Sequence, residues 1–239
     1  MKIAEMEVDA AYGQSISVVA HELRYPLLPM RNAAALLRQP TVDMPTIQRV
    51  AGIIERQALA MNRLIGDLVD VSRMQRGVME IRRARAALSN LLECAAESAG
   101  PLARERGHTL TVSAPEEPVH LQMDVLRLCQ ALVNIIANAT KYTDSRGDIA
   151  MRAHRDGSQA VIVVSDTGIG IPSQDLEAIF GLFEKSSQGL RVEQGLGMGL
   201  YLARHFIEAH AGTITASSAG PGCGSEFTIR LPCEEAASG

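Results

Sequence analysis

Apolar side chains recur every seven residues near the start of the chain, at Ile16, Leu23, Met30 and Leu37. Val19, Pro26 and Ala33 fill a second seam position, with Ala20, Leu27 and Ala34 beside it. This heptad stripe predicts one long amphipathic helix. The segment Gln39 to Pro45 breaks the pattern with two prolines and predicts a turn. A second stripe follows, Ile47, Val50, Ile54, Met61, Leu64, Leu68 and Val71, interrupted by polar Gln57. Two amphipathic helices joined by a short turn form an antiparallel hairpin. A single hairpin cannot hide both stripes. Two hairpins pairing as a four-helix bundle would hide them, so a homodimer is expected.

Past a break between Gly77 and Arg85 the pattern alternates between periods. Leu88 to Leu102, Asp124 to Thr143 and Gly199 to Ala209 read as helices. His108 to Ser113, Ile149 to Arg155, Ala160 to Ser165, Thr213 to Ala216 and Glu226 to Leu231 read as strands. Without regular β-α-β alternation, these elements predict a helix layer on a mixed sheet. The expected fold class is therefore α+β: a helical hairpin over residues 1–78, then an α/β sandwich over 79–239.

Composition changes this picture little. Aromatic residues make up 3% and Trp is absent, so the core must be built from aliphatic side chains. A net charge of −4 and a pI of about 5.9 give no reason to expect nucleic-acid binding. Arg82, Arg83 and Arg85 cluster after the second helix, where a solvated linker is expected. No apolar run reaches the ~20 residues that span a bilayer, and no signal peptide is recognisable. The chain is expected to be cytoplasmic, with any sensor region belonging to a longer parent. Cys94, Cys129, Cys223 and Cys233 have no metal-ligand spacing and are expected to be idle thiols in a reducing compartment. His108, His120, His154, His205 and His210 are expected to be structural or on the surface.

Candidate chemistry enters with three segments. Asn134-Ile-Ile-Ala-Asn138-Ala-Thr-Lys141-Tyr142 lies on a predicted helix. Asp166-Thr-Gly168-Ile-Gly170-Ile-Pro172 follows an apolar strand, and Gly195-Leu-Gly197-Met-Gly199 opens the last helix. A carboxylate beside two glycines can read an adenine amino group. A helix N-terminus entered through glycines can approach phosphate. An asparagine oxygen suits a hard cation that also binds phosphates. No Gly-x-x-x-x-Gly-Lys-Ser/Thr loop is present.

These segments, with Phe180-Gly-Leu-Phe183 between the glycine clusters, resemble the ATP-binding domain of bacterial sensor histidine kinases. That fold is shared with gyrase and the Hsp90 chaperones. The segment His21-Glu22-Leu-Arg24-Tyr25-Pro26-Leu27 resembles the phospho-acceptor segment of the same kinases. The resemblance implies ATP and Mg2+ as cofactors, with Asn134, Asn138, Lys141, Tyr142, Asp166, Gly168, Gly170, Lys185, Gly195, Gly197 and Gly199 around the nucleotide. Asn138 would hold the metal. His21, at a heptad position facing solvent, would take the phosphoryl group, and Glu22 would act as general base. A response-regulator receiver domain is the implied partner. Asn134 stands where related ATPases carry a glutamate that activates water, and an amide cannot serve as a base. Tyr25 stands where kinases that also dephosphorylate their partner carry Thr or Asn, which argues against a phosphatase activity. Two other readings stay open: a silent ATP-binding scaffold and a gyrase- or chaperone-type ATPase.

Overall fold

A computed structural model describes residues 2–184, 186 and 196–234, and the side chains of these except residues 2–18 and 21. Two compact units divide between Gly77 and Val78.

The first unit is a hairpin of α1 (Lys2–Leu37) and α2 (Met44–Gln75). Helix α1 runs unbroken through Pro26 and Pro29. Pro45, expected within the turn, instead lies in the first turn of α2, where its missing N–H has no intrahelical partner to lose. The Asp43 carboxylate caps that helix by accepting the Thr46 N–H at 3.0 Å. At the other end the Gly77 N–H reaches the Met74 carbonyl at 2.9 Å. Ala33, Val50 and Val71 are buried, with Glu22 and Asp70 among the buried polar side chains. The stripe is only partly covered: Leu37, expected at the seam, and Leu27, expected beside it, remain 40% and 48% exposed.

The second unit is a helix layer on a mixed sheet, as the alternating pattern predicts. The sheet has the order β2-β4-β5-β7-β6. Its strands are β2 (Thr109–Ser113), β4 (Asp148–Asp156), β5 (Gln159–Asp166), β6 (Thr213–Ser217) and β7 (Ser225–Pro232). β2 runs parallel to β4 and the other neighbours are antiparallel. Helices α3 (Leu88–Glu105), α4 (Val125–Tyr142) and α5 (Gly199–Glu208) supply the second layer. Leu91, Leu128, Leu132 and Ile207 from the helices meet Ile162, Ile229 and Leu231 from the sheet. β7 alternates, turning Phe227, Ile229 and Leu231 into this core. No described helix is long and apolar enough to cross a membrane.

Three features depart from the sequence reading. First, Ala84–Ala87 forms a strand, β1, paired antiparallel with β3 (His120–Met123). Second, the arginine cluster is tied down rather than free as a linker. The Arg82 N–H bonds the Asp124 carboxylate at 3.0 Å, and Arg85 pairs with Glu234 at 2.9 Å. Arg83 donates to the Ala209 carbonyl at the end of α5, where the helix dipole favours a cation. Third, Cys94 on α3 and Cys129 on α4 are joined in a disulfide, with Cα atoms 6.1 Å apart, so these two are not idle thiols. The packing of α3 on α4 brings them together. Cys223 and Cys233 are free.

Candidate nucleotide site

The site grows from three places in the second unit: the C-terminal half of α4, the loop after β5, and the start of α5. On α4, Leu128, Leu132, Ile135, Ile136 and Ala139 are buried. That leaves Asn134, Asn138 and Lys141, spaced i, i+4 and i+7, along another face, all half-buried. The Asn134 amide donates to the Gly199 carbonyl at 3.1 Å and so joins α4 to the first residue of α5. Among the described residues no hydrogen bond satisfies the Asn138 carboxamide, although it is half-buried. Lys141 Nζ lies 3.1 Å from the Tyr142 hydroxyl and 4.7 Å from the centre of its ring. Burial pushes the Tyr142 phenol up from its ordinary value, so it stays protonated.

β5 delivers Asp166 at its last position. One carboxylate oxygen accepts the Gly168 N–H at 2.8 Å, and the other accepts the Ser225 hydroxyl at 2.5 Å. Both oxygens are thereby aimed, and each keeps a further acceptor direction. The following loop closes on the end of α4 through Ile169 N–H to the Tyr142 carbonyl at 3.0 Å. A side chain at position 168 would bring its Cβ within 2.4 Å of that same carbonyl oxygen, which is why glycine stands there. These contacts hold Asp166 and Gly168 beside Tyr142.

Helix α5 begins at Gly199 with Met198 as its cap, and among the described residues no side chain makes a capping hydrogen bond there. Uncapped N–H groups and the helix dipole favour an anion. Met198 is buried, filling the space behind this turn. Gly197 accepts the Phe183 N–H at 3.2 Å. Phe180 is anchored edge-to-face on Phe227 at 6.2 Å, with the Arg204 guanidinium 4.1 Å over its ring.

The structure thus brings Asn134, Asn138, Lys141, Tyr142, Asp166, Gly168, Gly170, Gly197 and Gly199 onto three adjoining segments. Lys185 and Gly195 lie outside the described residues. His21 and Glu22 belong to the helical unit, on α1. The side chain of His21, expected to face solvent, is outside the described set, and Glu22 is buried rather than a surface glutamate. Sequence reading missed Ser218, whose hydroxyl takes the Ile171 N–H at 3.1 Å. A serine ahead of a glycine-rich turn is a weak signal, and only the fold gives it a partner 47 residues away.

Residues 123–235 match a family model described as the histidine kinase-, DNA gyrase B- and HSP90-like ATPase. Residues 11–77 match the His kinase A (phospho-acceptor) domain. The alginate biosynthesis sensor protein KinB of Pseudomonas aeruginosa is 34% identical over 216 residues, which is 89% of this chain and 36% of KinB. The chain therefore spans about a third of that relative. The full-length structure of ShkA in complex with AMPPNP is 26% identical, with a TM-score of 0.65 over 95% of this chain and 47% of ShkA. The histidine kinase ThkA, solved in complex with the response regulator protein TrrA, shares the fold at 21% identity. Its TM-score is 0.66 over 96% of this chain and 64% of that one. This chain belongs to the sensor histidine kinase family, carrying the phospho-acceptor module and the ATP-using module of that family's catalytic core.

Proposed function

We propose that this chain uses ATP to phosphorylate His21 and passes the phosphoryl group to an aspartate of a response-regulator receiver domain. The observation that carries the reading is the pairing, on one chain, of a phospho-acceptor match around His21 with an ATPase match around Asp166. Residues 1–78 serve as the dimerising acceptor unit and 79–239 as the ATP-binding unit. The outward apolar side chains Leu27, Leu28, Leu59 and Ile65 support a homodimer. ThkA was solved with a response regulator, and this supports a partner of the same class here. A reaction supplied by ATP belongs in the cytoplasm.

The chemistry follows from the residues. Asp166 accepts a hydrogen bond from the adenine amino group. The α5 N-terminus and Lys141 face phosphate charge, with Lys185 as a further cation. Among the described residues no group of three His, Cys, Asp or Glu side chains stands ready to hold a metal. Asn138, a neutral oxygen donor whose carboxamide has no hydrogen-bond partner among the described residues, fits Mg2+ that takes most of its ligands from phosphates and water. Such an ion would neutralise phosphate charge during transfer. The neutral imidazole of His21 attacks the γ-phosphorus. An N–P bond forms, the bond to the bridging oxygen breaks, and ADP leaves with that electron pair. The proton on the other ring nitrogen passes toward Glu22. The Asn134 amide is engaged with Gly199 and has no basic site to activate water, so hydrolysis is slow. Tyr25, one turn beyond His21, is longer than the Thr or Asn that would position a water there, which argues against a phosphatase activity.

Incubation with γ-labelled ATP and magnesium tests this. Wild type is expected to carry acid-labile, alkali-stable label, and His21→Gln none. Equal labelling of both proteins would overturn His21 as acceptor. ATP binding without any label would overturn the kinase reading.

A further inference from the structure

We propose that Ser218 is a positioning residue for base recognition. Its hydroxyl holds the Asp166–Ile171 loop against the glycine-rich 218–224 loop, so that Asp166 meets an adenine amino group. The inference rests on the nucleotide site proposed above.

A serine hydroxyl offers one hydrogen to donate and two lone pairs to accept with. At Ser218 all three are used. It donates to the Gly224 carbonyl at 2.6 Å, and accepts the Ile171 N–H at 3.1 Å and the Gly220 N–H at 3.2 Å. The Gly220 carbonyl, at 3.3 Å, competes more weakly for the same hydrogen. One side chain thus ties the exit of the Asp166 loop to two points of the opposite loop.

The backbone continues the seam. Gly222 N–H reaches the Ile169 carbonyl at 2.6 Å, and Gly224 N–H reaches the Gly168 carbonyl at 3.0 Å. The loops interlock so closely that a Cβ on Gly170, itself at φ 73°, would lie 2.1 Å from the Gly220 oxygen. The next residue, Ser225, donates to Asp166. The Gly224 peptide is therefore held on both sides, by Ser218 at its carbonyl and by Gly168 at its N–H. That peptide sets where Ser225 stands, and Ser225 sets the second oxygen of Asp166.

A carboxylate only accepts hydrogen bonds, so Asp166 welcomes the amino group of adenine and repels the carbonyl oxygen at the same place on guanine. Ser218 is half-buried, so water can reach the groups left behind when its hydroxyl is removed. The fold then survives while the aim of Asp166 loosens. The loss falls on discrimination between bases rather than on nucleotide affinity in general.

Calorimetric titration of the whole chain with Mg-ATP and Mg-GTP tests this on wild type, Ser218→Ala, Ser218→Thr and Asp166→Asn. Ser218→Ala is expected to weaken ATP binding about tenfold while moving GTP less than about twofold, the size of one lost hydrogen bond at a single contact. Ser218→Thr keeps the hydroxyl and is expected to retain the wild-type preference. Should the alanine variant fail to fold, Ser218→Cys, near in volume and a weak hydrogen-bonding partner, reads the same loss. An unchanged ATP-to-GTP ratio in Ser218→Ala, whether affinities hold or fall together, would overturn the role of Ser218. Asp166→Asn separates the two ideas. If it binds ATP like wild type, the nucleotide site itself is wrong. If it loses ATP while Ser218→Ala keeps its preference, only the inference about Ser218 fails.

Discussion

The two units hide their apolar side chains to different extents. In the α/β unit Leu88, Leu91, Ile135, Ile136, Ile149, Met151 and Phe206 each show 0% exposure. In the helical unit Leu27, Leu28, Leu59 and Ile65 stand 48%, 51%, 51% and 49% exposed. Three helices laid on one face of a sheet close a core within one chain. Two helices have no such cover, and a stripe wide enough for a bundle stays half open until other helices complete it. The difference teaches that one unit closes its core within a single chain, whereas the described side chains of the other leave an apolar face open.

The largest test of this contrast is Phe206→Ala against Leu27→Ala. Emptying the site of fully buried Phe206 is expected to cost about 3–5 kcal/mol in urea unfolding. Leu27→Ala is expected to stay within about 0.5 kcal/mol on that same transition, as for a surface change, and to weaken self-association instead. Similar unfolding costs for the two variants would mean that the open face is not open. Next in size is the disulfide, which ties two helices of the closed unit across 35 residues. Reducing it is expected to cost about 2–4 kcal/mol, read as a lower melting temperature of the α/β unit. The Cys94→Ser, Cys129→Ser double variant should match the reduced wild type. Smaller again is Gly77→Ala, which forces a side chain onto backbone at φ 66° with open space around it. Its expected cost is about 1–2 kcal/mol, from backbone strain alone, and falls on the end of α2.

The smallest effect concerns pH. His210 is buried, accepting the Asp124 N–H at 2.9 Å and donating to the Phe206 carbonyl at 2.6 Å. Burial is the main cause that holds its pKa below the ordinary 6.5, with Arg83 repelling a second charge; the Phe206 bond and the Asp124 carboxylate work the other way. The unfolded chain therefore takes up a proton before the folded one does. The stability that His210 contributes is present above pH 6.5 and lost as the pH falls through the folded value. Melting of the α/β unit between pH 7 and 5 should show this decline. His210→Gln, which does not titrate, should flatten it, and an unchanged slope would reject His210 as its source.

Much of the fold was legible because it depends on period. Ile16, Leu23 and Met30 repeat with the turn of a helix, and Phe227, Ile229 and Leu231 repeat with the pleat of a strand, so each neighbourhood announced its own element. Asp166, Gly168 and Gly170 were legible for a similar reason, since a carboxylate and two glycines within five residues describe a local shape. β1 was hidden because Ala84–Ala87 carries no alternation to read, and its partner lies beyond α3.

The chain by itself determined which segments are helix or strand and which side chains could carry the chemistry, because those depend on neighbours along the backbone. Tertiary structure alone decided the rest. Cys94 meets Cys129 only because α3 packs on α4. Arg83 finds the end of α5 across 126 residues, Asn134 finds Gly199 across 65, and Ser218 finds Ile171 across 47. Each of these bonds joins groups whose approach depends on the closing of the whole core. No local pattern encodes such a distance, and so no local reading could supply it.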